Sequence, residues 1–271
     1  MSLLPKEIEE HYLRGKESER LSGERGELER LRTQAILAQK LPGAPAEIFD
    51  VGGAAGIHAF PLAKQGYRVH LIDAVELHLE QARSYAATSG VTLGSIKRGD
   101  ARHLDIPSGN ADAVLLLGPL YHLVEHSDRQ QALREARRVL KPQGVLFAAA
   151  ICRFASLIDG LSSGFFRDVE FRKIVAADLA SGQHRNPMNH PAYFTTAYFH
   201  RPEELAAEVR EAGFGDVQIL AVEGPAWSAA LFREAWEDPG QRQSLMEFLA
   251  MIEREPSVQG ASAHIMAVAQ S

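Results

Sequence analysis

The chain has 271 residues, 45% of them apolar and 24% charged, which is the composition of a globular protein long enough to bury a substantial core. It contains no run of about 18 uncharged apolar residues, so no membrane span is expected, and the charged start MSLLPKEIEEHYLRGKESER lacks the apolar stretch of a signal peptide. A single cysteine, Cys152, excludes an internal disulfide framework and a multi-cysteine zinc site and fits a reducing cytoplasm, and the net charge of -6 gives no bulk support for nucleic-acid binding.

In chain order, residues 1–42 read as a helical cap ahead of the first strand. From residue 47 to 151, apolar runs alternate with helical patterns. EIFDV at 47–51 is the first predicted strand, followed by the helical segment AGIHAFPLAKQG, stopped at Gly66. RVHLI at 68–72 is the second, followed by VELHLEQARSYAATSG, with Leu77, Ala82 and Tyr85 near helical spacing and a stop at Gly90. LGSIKR at 93–98 and DAVLLL at 112–117 are the third and fourth. DRQQALREARRVL then puts Ala132, Leu133, Ala136, Val139 and Leu140 on one helix face, with Ser127 or Asp128 as the predicted cap and Lys141-Pro142-Gln143-Gly144 as the stop. GVLFAAAI at 144–151 is the fifth strand. Strands alternating with helices imply a parallel sheet covered on both faces. Right-handed crossovers bring every strand's C-terminal end to one edge, where ligands bind as the strand order reverses.

Beyond Ile151 the pattern changes. Residues 152–201 are rich in aromatics and weakly periodic, and are expected to form a lid over the binding edge. PEELAAEVREAG is an amphipathic helix opened by Pro202 and stopped by Gly213, and DVQILAVEG at 216–224 is a strand. A helix interrupted at Asp238-Pro239-Gly240 and a last strand, ASAHIMAVAQ at 261–270, complete the chain. The expected fold is α/β, a doubly wound, Rossmann-like sheet of about seven mostly parallel strands. It forms a single domain over 1–271, with a cap at 1–42, a core at 43–151, a lid at 152–201 and a C-terminal part of the sheet at 202–271.

Three features fall at consecutive strand ends. Asp50-Val51-Gly52-Gly53-Ala54-Ala55-Gly56 joins strand one to its helix, and its small residues let a ligand approach the backbone and the free N–H groups of the helix start. Asp73, at the end of strand two and followed by Ala74, can accept both hydroxyls of a ribose. Gly99-Asp100-Ala101, after strand three, offers a carboxylate to an exocyclic amine such as that of adenine. Each alone also reads as a packing turn or a helix cap; their joint placement favours a nucleotide-like ligand.

From residue 48 to 151 the sequence resembles class I S-adenosylmethionine-dependent methyltransferases of the small-molecule type. The segments that carry the resemblance are FDVGGAAG, HLIDAVELHLEQAR, KRGDARHLDIPSGNADAVLLLGPLYHL and ALREARRVLKPQGVLFAA. The family pattern is an acidic residue followed by G-x-G-x-G. Asp50, Gly52 and Gly56 match it, and Ala54 replaces the middle glycine, a departure that a negative φ would accommodate. The resemblance implies S-adenosyl-L-methionine as cofactor, with Gly52, Gly53, Ala54 and Gly56 forming the turn it lies on. Asp73 and Ala74 would sit at the ribose, Asp100 and Ala101 at the adenine, Leu117 and Gly118 at the methionine side, and Tyr12 would be an N-terminal lid residue. It also implies an antiparallel last strand.

A sulfonium methyl group is already activated, so the protein's task is alignment, with a general base needed only if the acceptor must lose a proton. His122 and Tyr121, in GPLYHL after strand four, are the candidates for orienting the acceptor or removing its proton; the alternative reading makes them packing residues. GPLY resembles the N/D-P-P-Y/F loop of amino-group methyltransferases, but Gly118 has no side chain to hold an amino group. The lid adds Arg153, Arg167, Arg172, His184, Arg185, Asn186, Asn189, His190 and His200, interleaved with aromatics, and sequence does not rank them. His184 and His190 lack the one-turn spacing of a helical metal pair, so no metal is expected, and Cys152 reads as a small buried residue. The expected partner is a small-molecule acceptor, with no nucleic acid and no membrane, the protein being a monomer or homodimer. Two rival readings are an NAD(P)-dependent Rossmann oxidoreductase, which Asp50 and the glycine spacing fit poorly, and a non-catalytic S-adenosylmethionine-binding module.

Overall fold

The computed structural model describes residues 3–13 and 23–271. Its sheet has seven strands: β1 (Glu47–Val51), β2 (Arg68–Asp73), β3 (Ser95–Arg98), β4 (Ala111–Leu116), β5 (Leu140–Ile151), β8 (Gly215–Ala221) and β9 (His264–Gln270). Between β5 and β8, the short strands β6 (Gln183–His184) and β7 (Ala197–Tyr198) pair with each other. The large sheet runs in the order β3-β2-β1-β4-β5-β9-β8. Strands β1 to β5 are parallel, and β9 is antiparallel to both of its neighbours, as expected.

The apolar runs of the sequence follow from burial on both sheet faces. Ala113 and Leu115 of β4 pack with Ile48, Leu71 and Phe147 on one side. Val114 and Leu116 pack with Phe49, Val51, Leu146 and Ala148 on the other. A strand covered on both sides has no polar face, so alternation disappears from its sequence. The order reverses at β1, which has β2 on one side and β4 on the other, and the crevice beyond these three strand tips is the topological binding position.

Local boundaries differ from expectation: β3, β8 and β9 are shorter than their predicted strands, and three differences fall around the helices and β5. The helix after β1 is only Ala59–Lys64, because residues 52–58 form turns. The helix before β5 spans His126–Val139; its N-cap is Glu125, with no side-chain cap, and Asp128 instead accepts a hydrogen bond from Arg102 at 2.9 Å. The segment Lys141-Pro142-Gln143-Gly144 belongs to β5 itself, with Gln143 at φ 66°. The weakly periodic 152–201 segment holds the helices Ala155–Ser162 and Val169–Ser181. Among the described residues, no helix is long and apolar enough to cross a membrane.

A buried ion pair fixes the frame around the crevice. Arg129, 2% exposed, donates through Nε to Glu208 Oε2 at 2.9 Å and through Nη2 to Oε1 at 2.7 Å. Its Nη1 donates to the carbonyls of Leu123 and Val124, and its guanidinium lies 3.8 Å from the Tyr198 ring centre. His200 Nε2 contacts the same carboxylate at 3.2 Å. One arginine thus ties the loop after β4 to the helix Pro202–Glu211 and to the end of the 152–201 segment. Burial opposes ionisation of Glu208, but hydrogen bonds from His200 and Arg129 bring its pKa down to about 2.

Arg129→Met strands a buried carboxylate and should lower the free energy of unfolding by about 3–5 kcal/mol in urea titrations, and Arg129→Met with Glu208→Leu should recover much of that loss. Because the folded pKa of Glu208 lies below its ordinary 4.5, its contribution is complete above that value. It should be lost as pH falls toward 2, which wild-type melting curves across that window will read and the double variant should not share.

Candidate functional site

β1 ends in a turn whose backbone only small residues can follow. Gly52 has φ 73°, and a Cβ there would lie 2.7 Å from the Pro119 ring, on the loop after β4. A Cβ on Gly53 would meet Asp50 Cγ at 2.5 Å. Ala54 has φ 48°, not the negative value that would accommodate its departure from the family glycine. An alanine in the left-handed region costs on the order of 1 kcal/mol, and a hydrogen bond holds it there: its N–H donates to Asp73 Oδ2 at 2.9 Å. Asp73 Oδ1 accepts from the Val75 N–H at 2.8 Å and contacts His78 Nδ1 at 3.1 Å. Asp73, 6% exposed, therefore shapes the turn as well as lining the crevice beside it.

The crevice opens to solvent beyond these strand tips. Its walls bring together Tyr12, Asp50, Gly52, Gly53, Ala54, Asp73, Ala74, Asp100, Ala101, Leu117, Gly118, Tyr121 and His122. Gly56 does not line it; φ 86° and the Phe60 ring, 2.8 Å from a Cβ built there, make it a packing position of the turn. The sequence reading missed Leu3, Leu4, Glu29, Ile57, His58, His78 and Arg102, which complete the walls.

Asp50 is 1% exposed, and neither carboxylate oxygen has a hydrogen-bond partner among the described residues. Burial pushes its pKa up to about 7, and the neighbouring Asp73 charge adds to the rise. Asp100 is held differently. Arg102 Nη2 donates to its Oδ2 at 2.7 Å and Arg102 Nε to its Oδ1 at 3.0 Å, while Arg102 Nη1 reaches Asp128. Burial alone would raise the Asp100 carboxyl, but these hydrogen bonds and the guanidinium charge keep it below the ordinary range.

Tyr12, on the helix Lys6–Leu13, closes the other side. Its Oη lies 2.5 Å from His122 Nε2, and its ring meets His78 and His122 edge-on. Burial lowers His122 to about 4, so the ring is neutral near pH 7. With Nδ1 3.4 Å from the Thr196 carbonyl, the consistent assignment is Nδ1–H toward that carbonyl and Nε2 accepting from Tyr12.

Tyr12 and Tyr121 also border a second cavity, walled mainly by Phe171, His184, Tyr193, Phe194, Phe199 and Trp227. Other polar residues of the 152–201 segment make structural contacts: Arg153 donates to the Phe199 carbonyl and pairs with Glu204, Arg172 donates to the Phe166 carbonyl, and His190 stacks on Tyr193. Cys152 is buried, and burial raises its thiol to about 11, as suits a packing residue. Glu29, Glu223 and His264 bring ligand atoms within 4.8 Å of one another, although His264 Nδ1 already lies 2.6 Å from Glu223 Oε1.

The residues fit S-adenosylmethionine. The unpartnered Asp50 carboxylate suits an ammonium group, the turn at Gly52 and Gly53 leaves room for a chain to pass, and Asp73 and Asp100 stand at neighbouring strand tips. Sheet order, turn and crevice are those that the resemblance to class I S-adenosylmethionine-dependent methyltransferases implies. In comparison with known proteins, residues 48–144 match the methyltransferase domain family. The chain is 29% identical over 116 residues to the ubiquinone biosynthesis O-methyltransferase of Caulobacter vibrioides, covering 43% of this chain and 45% of that protein, so it spans less than half of that relative's length. A Thermotoga maritima S-adenosylmethionine-dependent methyltransferase, described as a possible histamine N-methyltransferase, superposes with a TM-score of 0.57 at 17% identity, over 97% of this chain and 98% of that one. A Haemonchus contortus phosphoethanolamine N-methyltransferase 2, solved with S-adenosyl-L-methionine bound, superposes with a TM-score of 0.56 at 16% identity, over 88% of this chain and 51% of that one.

Two outcomes are expected. Asp50 must be ionised to hold an ammonium, so S-adenosylhomocysteine affinity should fall by up to about tenfold per pH unit below 7. Calorimetry should show Asp50→Asn flattening that slope. Ala54→Gly removes the left-handed alanine and should raise the unfolding free energy by up to about 1 kcal/mol in urea titrations.

Proposed function

We propose that the protein transfers a methyl group from S-adenosylmethionine to a small-molecule acceptor at an O, N or C nucleophile. The observation that carries this reading is the buried Asp50 carboxylate, unpartnered among the described residues, beside a glycine turn. The crevice it faces shares Tyr12 and Tyr121 with an aromatic cavity that suits an acceptor. Asp50 would hold the ammonium, Asp73 and Ala74 the ribose, Asp100 and Ala101 the adenine, and Leu117 and Gly118 the methionine side. When bound, the cofactor supplies a methyl group already activated for displacement. The chain's own work is alignment and the exclusion of water, through Tyr12 and the segment 152–201 acting as a lid. His122, neutral and hydrogen-bonded to Tyr12, orients that tyrosine; it can take an acceptor proton only once Tyr12 turns away. The acidic residue before the turn weighs against a nicotinamide oxidoreductase. The net charge of -6 supports a small-molecule partner over nucleic acid, in a cytoplasmic protein.

Calorimetric titration with S-adenosylmethionine and S-adenosylhomocysteine tests the reading: both should bind, and failure of both at millimolar concentration overturns it. Asp73→Ala removes a carboxylate that serves ribose and turn alike and should weaken binding by about 2 kcal/mol, roughly 30-fold. Product formation across a panel of acceptors separates an enzyme from a binding module.

A further inference from the structure

The aromatic cavity contains a polar group that the methyl-transfer reading does not use. His184, 2% exposed, lines it. Its Nδ1 lies 2.9 Å from Asp178 Oδ2, and the same oxygen accepts from Ser156 Oγ at 2.5 Å. Asp178 is fully buried on the helix Val169–Ser181, and the Phe199 ring stacks on His184 at 4.8 Å with an interplanar angle of 10°. These contacts fix the imidazole in one orientation, with Nδ1–H toward Asp178. Nε2, on the opposite edge of the ring, has no hydrogen-bond partner among the described residues. In the neutral imidazole so arranged, Nε2 is an acceptor.

We propose that His184 Nε2 is the recognition point for the methyl acceptor, which is an aromatic molecule carrying a hydroxyl group away from its reacting atom. The inference rests on the methyltransferase reading above. Aromatic character follows from the walls: Tyr121, Phe171, Tyr193, Phe194, Phe199 and Trp227 offer ring faces and edges. The remote placement follows from spacing. His184 is 6.3 Å from the Phe194 ring centre, and Phe194 stacks 5.7 Å from His122. His122 lines the cofactor crevice and His184 only the aromatic cavity, with the Phe194 ring against both. An acceptor spanning that distance presents its nucleophile at Tyr12 and Tyr121 and its hydroxyl to Nε2. A cavity built to accept that hydrogen bond discriminates against a ligand that cannot donate it. His264, on the same cavity, points its Nδ1 at Glu223 and is the alternative anchor.

2-Naphthol and its methyl ether, 2-methoxynaphthalene, differ in the donor and serve as probes. In fluorescence titrations with saturating S-adenosylhomocysteine, wild type should bind 2-naphthol about tenfold more tightly than the ether. His184→Phe should abolish the preference, His184→Gln, whose amide oxygen still accepts, should restore most of it, and His264→Gln should keep it. In wild-type protein labelled with ¹⁵N-histidine, the His184 Nε2 resonance should move with 2-naphthol and not with the ether, a readout that stands even if a variant fails to fold. Equal binding of the two probes, no naphthol binding at millimolar concentration, a preference that survives His184→Phe or vanishes in His264→Gln, or an unmoved Nε2 resonance overturns the proposal. The titrations are repeated without S-adenosylhomocysteine, so failure of the cofactor to bind sinks the methyltransferase reading and leaves the anchor to be judged on the probes.

Discussion

The bond from the Ala54 amide to the Asp73 carboxylate joins the tips of two neighbouring strands, and the shape of the crevice depends on it. Ala54 sits in a backbone region that an alanine does not choose, so the turn needs an external hold. Asp73 supplies it, and its second oxygen fixes the start of the next loop through Val75 and His78. Parallel strands bring their ends to one edge, and this carboxylate ties the loop after β1 to the segment after β2. Residues that would contact a ribose are thus the same ones that keep the floor under it in place.

Charge is arranged unequally across that floor. Asp100 is neutralised by a guanidinium that also reaches Asp128. Asp50 has Asp73 for a neighbour and no cation bonded to it among the described residues, and its proton affinity rises accordingly. One end of the crevice is electrostatically settled and the other is not, which gives an elongated ligand with a single positive terminus a preferred direction.

Much of the fold was legible because the central strands β1, β4 and β5 are written as largely apolar runs, and each of the seven strands of the main sheet overlaps a predicted strand. The acidic and glycine positions of the crevice were legible because strand ends locate them. Arg102 and Glu29 were not, since a charged residue on a loop or a helix looks the same in sequence whether it faces solvent or a crevice. The helix Val169–Ser181 was hidden for a specific reason. Its buried positions Phe171, Ile174, Val175 and Asp178 follow helical spacing, but the last is an aspartate, which breaks the apolar stripe. Only the contacts with Ser156 and His184, distant in sequence or across a turn, explain an acid there. The positive φ of Ala54 was equally invisible, because it is set by Asp73, 19 residues away.

Tyr12 borders both chambers, and the short helix that carries it is anchored by the buried Ile8, by the Tyr12–His122 contact and by Thr195 Oγ1, which donates to the Glu7 carbonyl at 3.3 Å. A shift of this helix would therefore change the walls of both compartments at once, coupling the place proposed for the donor to the place proposed for the acceptor.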